Sequence, residues 1–558
     1  MTRTNNAGKQ PKLPKKQSVT KKNVAQKSKR VDPLINNSAP QPEGEPDVLV
    51  TEDSGGFNFR SLLKKITPTG VLFFLIFSLF PVLWTLYSEV IPTVFPKTPI
   101  RMSGEWNVTV AGFANLNTDL QSTDIELIHD VFFNRFEQEM LDLGKNTNLV
   151  VQVLGTEQIG FISGKSAEER ALEAEKMANE INADMVIYGN VQQVADGYVL
   201  QPEFYIRADN YYEAEELIGQ HRFGGPISII ATRDALPAQI QLNIELTRRA
   251  KILALVTRGL SLYLIKSYDQ AFDLFTQANQ DDLWSISTGR ESVYLFQANA
   301  ALQQQQFDQA RSALEQSVKI NPDYGRGYIG LGIVHYVLAS ESASQTSFTP
   351  DSQELMLSMD FYEKALSVAE TQPSSAEIPS KAAFGIGQIY LTKWILGEDT
   401  REGSIEEFQK VITRYADGQE PQLQELASES HARLAVIYRQ DNQIETALAE
   451  FEQALRLSTS PARKGLYHAS ISAIYRQQDD TPQADSESSL AIEQYQIALG
   501  LPVSDKSKAL YWAKIAEQYE LLQNTTQAVD AYENALKLLP VGSPDYEIYQ
   551  QRLHALPN

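Results

Sequence analysis

The sequence predicts an all-α superhelical solenoid of about seven helix pairs, preceded by a small α/β domain, one transmembrane helix and a disordered N-terminal arm. Three observations lead there. A register of small and aromatic side chains recurs through the C-terminal half, a run of 23 residues between Lys65 and Glu89 carries no charge, and alternating runs interleave with amphipathic stretches between residues 101 and 235. At 558 residues the chain exceeds one ordinary core; units of roughly 100–200 residues fit three or four.

The first element is the arm, residues 1–55. Residues 1–31 hold eight Lys, two Arg and no acid, with almost no large apolar side chain, so they cannot bury enough surface to offset chain entropy. Residues 32–52 continue it as an acidic linker with Pro33, Pro40, Pro42 and Pro46. The charge is uneven: residues 1–66 carry 13 Lys plus Arg against 6 Asp plus Glu, a surplus of 7, which leaves −28 on the rest of a chain whose net charge is −21. A solvated tail that also sets topology is the expected role of the arm, and nucleic acid is an unlikely partner.

Residues 67–90 are predicted to cross a bilayer. At about 1.5 Å per residue the uncharged run spans roughly 34 Å, enough for the hydrocarbon core. Pro81 lies inside it, and Trp84 and Tyr87 lie near its far end, where interfacial aromatics belong. Its distance from Met1 and the lack of a small-residue cleavage site argue against a signal peptide. Arg60, Lys64 and Lys65 flank the near side, so the positive-inside rule puts the N-terminus in the cytoplasm and residues 93–558 on the extracytoplasmic side. Residues 56–66, with Phe57, Phe59, Leu62, Leu63 and Ile66 beside that basic cluster, read as a short interfacial segment.

Residues 101–235 alternate strand and helix signals. Residues 105–113 read as a strand, and Ser122 or Thr123 can cap a helix that follows; residues 148–155, 184–194 and 198–208 read as further strands, the last two forming a hairpin about Ala195, Asp196 and Gly197, and residues 168–181 as a second helix. The strings VTVAGFANL and INADMVIYGNVQQVADGYVL carry a resemblance: over about 130 residues this unit is similar to the amino-terminal α/β domain of the TolB translocation protein. Asn182 stands where that family has Gly, and Met185 where it has Tyr. The resemblance implies docking or assembly and no catalysis.

One string invites an enzymatic reading. Gly164, Lys165 and Ser166 precede a helix as in a phosphate-binding loop, but Ile159 stands where the pattern needs its first Gly. Ser166 is better read as a helix cap, with Glu169 completing a capping box. There is no cysteine, and the six histidines show no metal-binding helical spacing, so no catalytic, cofactor-binding or metal-ligating residue and no cofactor are predicted.

The solenoid is assigned to residues 241–558. Its register is a small residue on a first helix, a small residue twelve later, an aromatic four further and Ala three beyond: Gly259, Ala271, Phe275, Ala278; Ala298, Ala310, Leu314, Ser317; Ala435, Ala447, Phe451, Ala454; Ala516, Ala528, Tyr532, Ala535. Three more units fit after insertions: Gly332 with Ser358, Tyr362 and Ala365; Gly387 with Ser404, Phe408 and Val411; Ser472 with Ala491, Tyr495 and Ala498. This pattern resembles the tetratricopeptide repeat (TPR), in which small residues let paired helices approach and the aromatic fills the space between units. Residues 543–556 read as a capping helix, and residues 241–250 as a second cap at the other end.

The resemblance implies a concave groove that takes peptides or helices of other proteins. Of the positions that hold a terminal carboxylate in the family's peptide clamp, only Asn299 matches; Leu260, Ile333, Gln388 and Val436 occupy the others, so that clamp is not expected. The function expected is a membrane-anchored scaffold or adaptor with no enzymatic activity. The alternatives are a transmembrane signalling or sensor protein and a nucleotide-binding or enzymatic α/β domain.

Overall fold

A computed structural model describes residues 100–556 apart from segments 117–121, 145–149, 195–196, 208–216, 231–235, 285–288, 347–349, 372–376 and 419–420 and residues 223, 281 and 283. The transmembrane segment at 67–90, the interfacial segment and the arm lie outside the described residues. Among those described, no helix is long and apolar enough to cross a membrane.

The sheet is built from β1 (Trp106–Val110), β2 (Ala114–Leu116), β3 (Val151–Leu154), β4 (Met185–Val194), β5 (Gly197–Ile206), β6 (Gly219–Arg222) and β7 (Ile227–Ile230). Its order is β3-β1-β4-β5-β6, with β2 continuing β1 along β4 and β7 continuing β6 along β5. β1 runs parallel to β3 and β4, whereas β4 and β5 form an antiparallel hairpin registered from Met185–Ile206 to Val194–Gly197. Strand alternation on β4 sorts the two faces: Met185, Ile187 and Val191 enter one core, Val186 and Tyr188 the other.

Two helices of this unit, α1 (Ser122–Gly144) and α3 (Ala167–Ile181), lie on opposite faces; the single turn α2 (Thr156–Ile159) joins β3 to the loop before α3. Ala174, Ala178 and Ile181 of α3 pack on Val186 and Tyr188, and Phe132 and Phe136 of α1 pack on the other face. A buried ion pair also fixes α3: Arg170 donates from Nε and Nη2 to the two carboxylate oxygens of Glu203 on β5, at 2.9 and 2.7 Å.

The remaining helices form consecutive antiparallel pairs. These are α4 (Leu236–Leu264) with α5 (Tyr268–Ala278), α6 (Arg290–Gln303) with α7 (Phe307–Ile320), α8 (Gly325–Thr346) with α9 (Ser352–Thr371), and α10 (Glu377–Ile395) with α11 (Arg401–Gly418). Then come α12 (Pro421–Gln440) with α13 (Ile444–Leu457), α14 (Pro461–Gln477) with α15 (Thr481–Leu499), α16 (Asp505–Leu521) with α17 (Thr525–Lys537), and a last helix, α18 (Pro544–Ala555). The register residues are buried, and the aromatic lies against its small partner: a Cβ on Gly259 would come within 2.5 Å of the Phe275 ring, and one on Gly387 within 2.9 Å of Phe408.

Two expectations need correction. Residues 241–250 are not a separate cap: they belong to α4, a continuous helix whose Leu246, Ala250, Leu253 and Val256 share one core with the sheet and with Phe296 of α6. α4 thus serves as both a sheet-covering helix and the first solenoid helix. The second concerns Ser472. Its hydroxyl donates to the Ala484 carbonyl at 2.8 Å and lies 2.8 Å from the Ser488 hydroxyl, so the unit keeps the uninterrupted spacing with Ser488 in the aromatic's place. Tyr495 instead packs on Gly465, whose Cβ would lie 2.9 Å from its ring.

Candidate partner-binding groove

In each solenoid pair the first helix is packed on its own partner, and from α6 to α12 the first helices also touch in sequence: α6 with α8, α8 with α10 and α10 with α12. The second helices show no such close packing on one another among the described residues, so the stack opens on their side and the first helices line the concave face. On α14 the accessible stripe is Leu466, Ala473 and Gln477, spaced 7 and 4 apart, as one helical face requires. Glu429, Arg433, Val436 and Gln440 occupy the corresponding stripe of α12, and Leu510, Lys514, Glu517 and Leu521 that of α16.

The first half of this face is filled by the chain's own sheet. Thr257 of α4 donates to Met185 Sδ of β4 at 3.5 Å, and Phe296 of α6 meets Phe204 and His221 edge-on with ring centroids at 6.2 and 5.0 Å. His221 of β6 stacks on Phe204 at 5.1 Å, and its Nε2 donates to the Leu217 carbonyl at 2.9 Å. Beyond it Arg326, at the start of α8, donates from Nη1 to the Ile218 carbonyl at 3.0 Å and from Nη2 to Glu377 of α10 at 3.1 Å. Lys381 lies 3.0 Å from the other oxygen of Glu377. One guanidinium therefore ties the sheet edge to two solenoid pairs.

The electrostatics follow from burial and from that guanidinium. Loss of hydration, reinforced by the adjacent Arg326 charge, pushes the His221 pKa down to about 3, so the ring is neutral at ordinary pH. Burial would raise Glu377, but Arg326 and Lys381 outweigh it and hold the carboxyl at about 2. The backbones also approach closely: Gly224 and Gly289 have φ of 78° and 89°, and a Cβ on Gly289 would fall 2.0 Å from the Gly224 nitrogen.

The clamp positions are dispersed in character. Leu260 is fully buried, and Asn299 is nearly so, its amide donating to the Leu295 carbonyl of its own helix at 3.0 Å. Ile333, Gln388 and Val436 are partly buried. Asn299 is therefore engaged within α6.

The Gly164, Lys165, Ser166 segment is occupied by the chain's own carboxylates. Ser166 Oγ accepts from the Glu169 amide at 3.1 Å, as a cap does. Glu169 accepts from the Lys165 amide at 2.7 Å, one residue before the position a capping box uses, and Glu173 accepts from the Ser163 amide at 2.6 Å. Donors that would cradle a phosphate already face acids.

Sequence reasoning missed three histidine–glutamate pairs inside solenoid units: His335–Glu354, His431–Glu450 and His468–Glu487, with Nδ1 to Oε2 distances of 2.5, 2.6 and 2.7 Å. Each glutamate lies 19 residues after its histidine. That spacing was visible in the sequence, but its meaning depends on how the two helices face each other.

Residues 291–324 and 428–461 match the tetratricopeptide repeat family model. No curated protein matches the chain. Solved structures similar to it include pilF of Pseudomonas aeruginosa (16% identity, 47% of this chain and 97% of that one, TM-score 0.29) and a tetratricopeptide repeat protein of Parabacteroides merdae (8%, 54% and 97%, 0.35). A thermophilic TPR protein of Thermus thermophilus is also similar (15% identity, 41% and 99%, 0.28). The chain carries tetratricopeptide repeats in a mostly helical solenoid behind a small α/β sheet domain.

Proposed function

We propose that this chain is a membrane-anchored scaffold or adaptor that binds other proteins in its TPR groove, without turnover. The observation that carries the reading is the accessible concave stripe on α12, α14 and α16, where Leu466 and Leu510 are 49% and 44% exposed. The uncharged run at 67–90, flanked by Arg60, Lys64 and Lys65, supports an anchor with the basic arm in the cytoplasm and residues 93–558 outside it. The likeness of residues 101–235 to the TolB amino-terminal domain supports a docking role for the sheet.

The test is to isolate the full chain from membranes in mild detergent and identify proteins bound in stoichiometric amount. The expected partner is lost when Leu466 and Leu510 are both replaced by Glu. Recovery of the chain in the soluble fraction would remove the anchor; the absence of any specific bound protein would remove the scaffold.

A further inference from the structure

The exposed apolar side chains around the sheet are not spread evenly. Because β1, β3 and β4 run parallel, their starts define an amino edge and their ends a carboxyl edge. Ile100 is 49% exposed, Leu141 and Val150 are each 61% exposed and Ile265 is 53% exposed, and all four belong to the amino edge. Phe161, bridged to Gly112 beyond the end of β1, and Val194, at the tip of the β4–β5 hairpin, belong to the other.

Their level follows from the register. Val153 and Met185 both pair with Val108, so Val150 lies three residues, about 10 Å, beyond the start of β4. α4 runs past the same edge: Arg249 bonds to Gly225 beside the middle of β5, Thr257 bonds to Met185, and Ile265 follows eight residues later, about 12 Å further along the axis. Leu141 is in the last turn of α1, from which the chain passes to the start of β3. Ile100 enters beside Met102, whose amide donates to the Ile181 carbonyl at 2.7 Å where α3 ends. Single exposed apolar side chains are ordinary on any surface; four on the edge where the chain comes in are not.

A length argument selects what meets them. Residues 91–99 separate the uncharged run from Ile100, and nine residues reach roughly 30 Å at full extension. β4 alone, with ten residues, is about 33 Å tall. A bilayer surface at the end of the run is thus within reach of the amino edge and out of reach of the carboxyl edge.

We infer that the amino edge of the sheet is a lipid-facing surface, with Ile100, Leu141, Val150 and Ile265 set among the headgroups. The inference rests on the anchor reading and adds to it a second, peripheral contact made by the folded unit. Arg101 and Lys266 at this edge are offset by Glu105 and Asp142, so the contact is apolar and does not depend on anionic lipid.

The chain has no cysteine, so Leu141→Cys, Val150→Cys, Ile265→Cys, Phe161→Cys and Val194→Cys each give the full chain one site for the fluorophore NBD. The labelled chains are reconstituted in phosphatidylcholine vesicles carrying a nitroxide on the headgroup. Side chains sunk about 5–10 Å into the headgroup boundary share the nitroxide's depth, so probes at 141, 150 and 265 should be quenched roughly threefold more than those at 161 and 194. The difference should persist when phosphatidylglycerol replaces part of the lipid and when salt is raised. Adding Leu141→Glu with Ile265→Glu should bring the probe at 150 down to the level of the probe at 194, with unchanged circular dichroism melting to show that the fold is kept. Equal quenching at both edges, or indifference of the probe at 150 to the two glutamates, would overturn the inference. Alkaline carbonate extraction reads the anchor separately. A chain that resists carbonate while its amino-edge probes stay unquenched keeps the anchor and loses this surface; a chain stripped by carbonate whose amino-edge probes were quenched beforehand keeps the surface and loses the anchor.

Discussion

Tyr362 sits between two glycines. A Cβ on Gly332, on the paired helix, would approach its ring to 2.6 Å, and one on Gly385, from the next unit, to 2.3 Å. Glycine within a helix costs about 1 kcal/mol relative to alanine, so Gly385→Ala would ordinarily stabilise α10. Here the added methyl must displace a ring that is 5% exposed, and overpacking of that kind costs roughly 1–3 kcal/mol. The expected result is a lower melting temperature for Gly385→Ala; an unchanged or higher one would show that the ring moves aside freely. The pairing of Gly332 with Tyr362 was legible in the sequence because it depends on size alone. What was not legible was the hydroxyl of Ser358, which donates to the Gly332 carbonyl at 2.7 Å, or that of Ser404, which donates to Gly387 at 2.9 Å. The register marks these serines as small, and only the opposite helix shows the acceptor.

The pair α14 and α15 shows how an element can mislead a register. The register with Tyr495 needs an insertion, yet the turn places Ser472 at the regular position, against Ala484 and Ser488. In five pairs a non-glycine residue seven after the small one has positive φ: Lys266, Gln305, Asn442, Asp479 and Gln523. Asp479 counts from Ser472. The hairpin compensates for the missing aromatic with a buried hydroxyl pair and with a longer second helix, 19 residues in α15 against 14 in α13, which brings Tyr495 onto Gly465. Ser472→Ala should leave Ser488 without its buried partner and cost about 1–3 kcal/mol, whereas adding Ser488→Ala should recover part of that loss. Chemical denaturation of the two single variants and the double reads this coupling; additive losses would mean the hydroxyls act independently. The continuity of α4 is hidden for a different reason: packed by α1, the sheet and α5, it buries polar side chains such as Arg249, Thr257 and Arg258 beside its apolar ones, so no clean apolar stripe marks the helix across residue 241.

At the scale of the molecule, residues 97–558 form one compact unit, and the sheet and the first solenoid helices share a single core. The sequence distinguished the two parts by their periodicities, but their fusion depends on contacts more than a hundred residues apart, such as Arg326 with Ile218. That contact sits on two groups whose titration should report the joint. His221 is held at about 3 in the folded chain against an ordinary 6.5, so between those values the unfolded chain binds a proton that the folded chain does not. Stability therefore falls as pH drops through that window, by about 1.4 kcal/mol per pH unit where the difference is one whole proton. Glu377, held at about 2 against 4.5, acts in the same direction: its stabilisation is present above 4.5 and is lost as pH falls toward 2. The melting temperature should thus fall between pH 7 and pH 5 through His221 before Glu377 contributes. His221→Phe keeps a ring between Phe204 and Phe296 while removing the proton site, and it should flatten the slope in that interval. Because the core is shared, the sheet and the first solenoid pairs should lose hydrogen-exchange protection together as the pH falls. Acid loss of protection in the sheet alone, with α4 to α6 unaffected, would show that the joint is weaker than its continuous core implies.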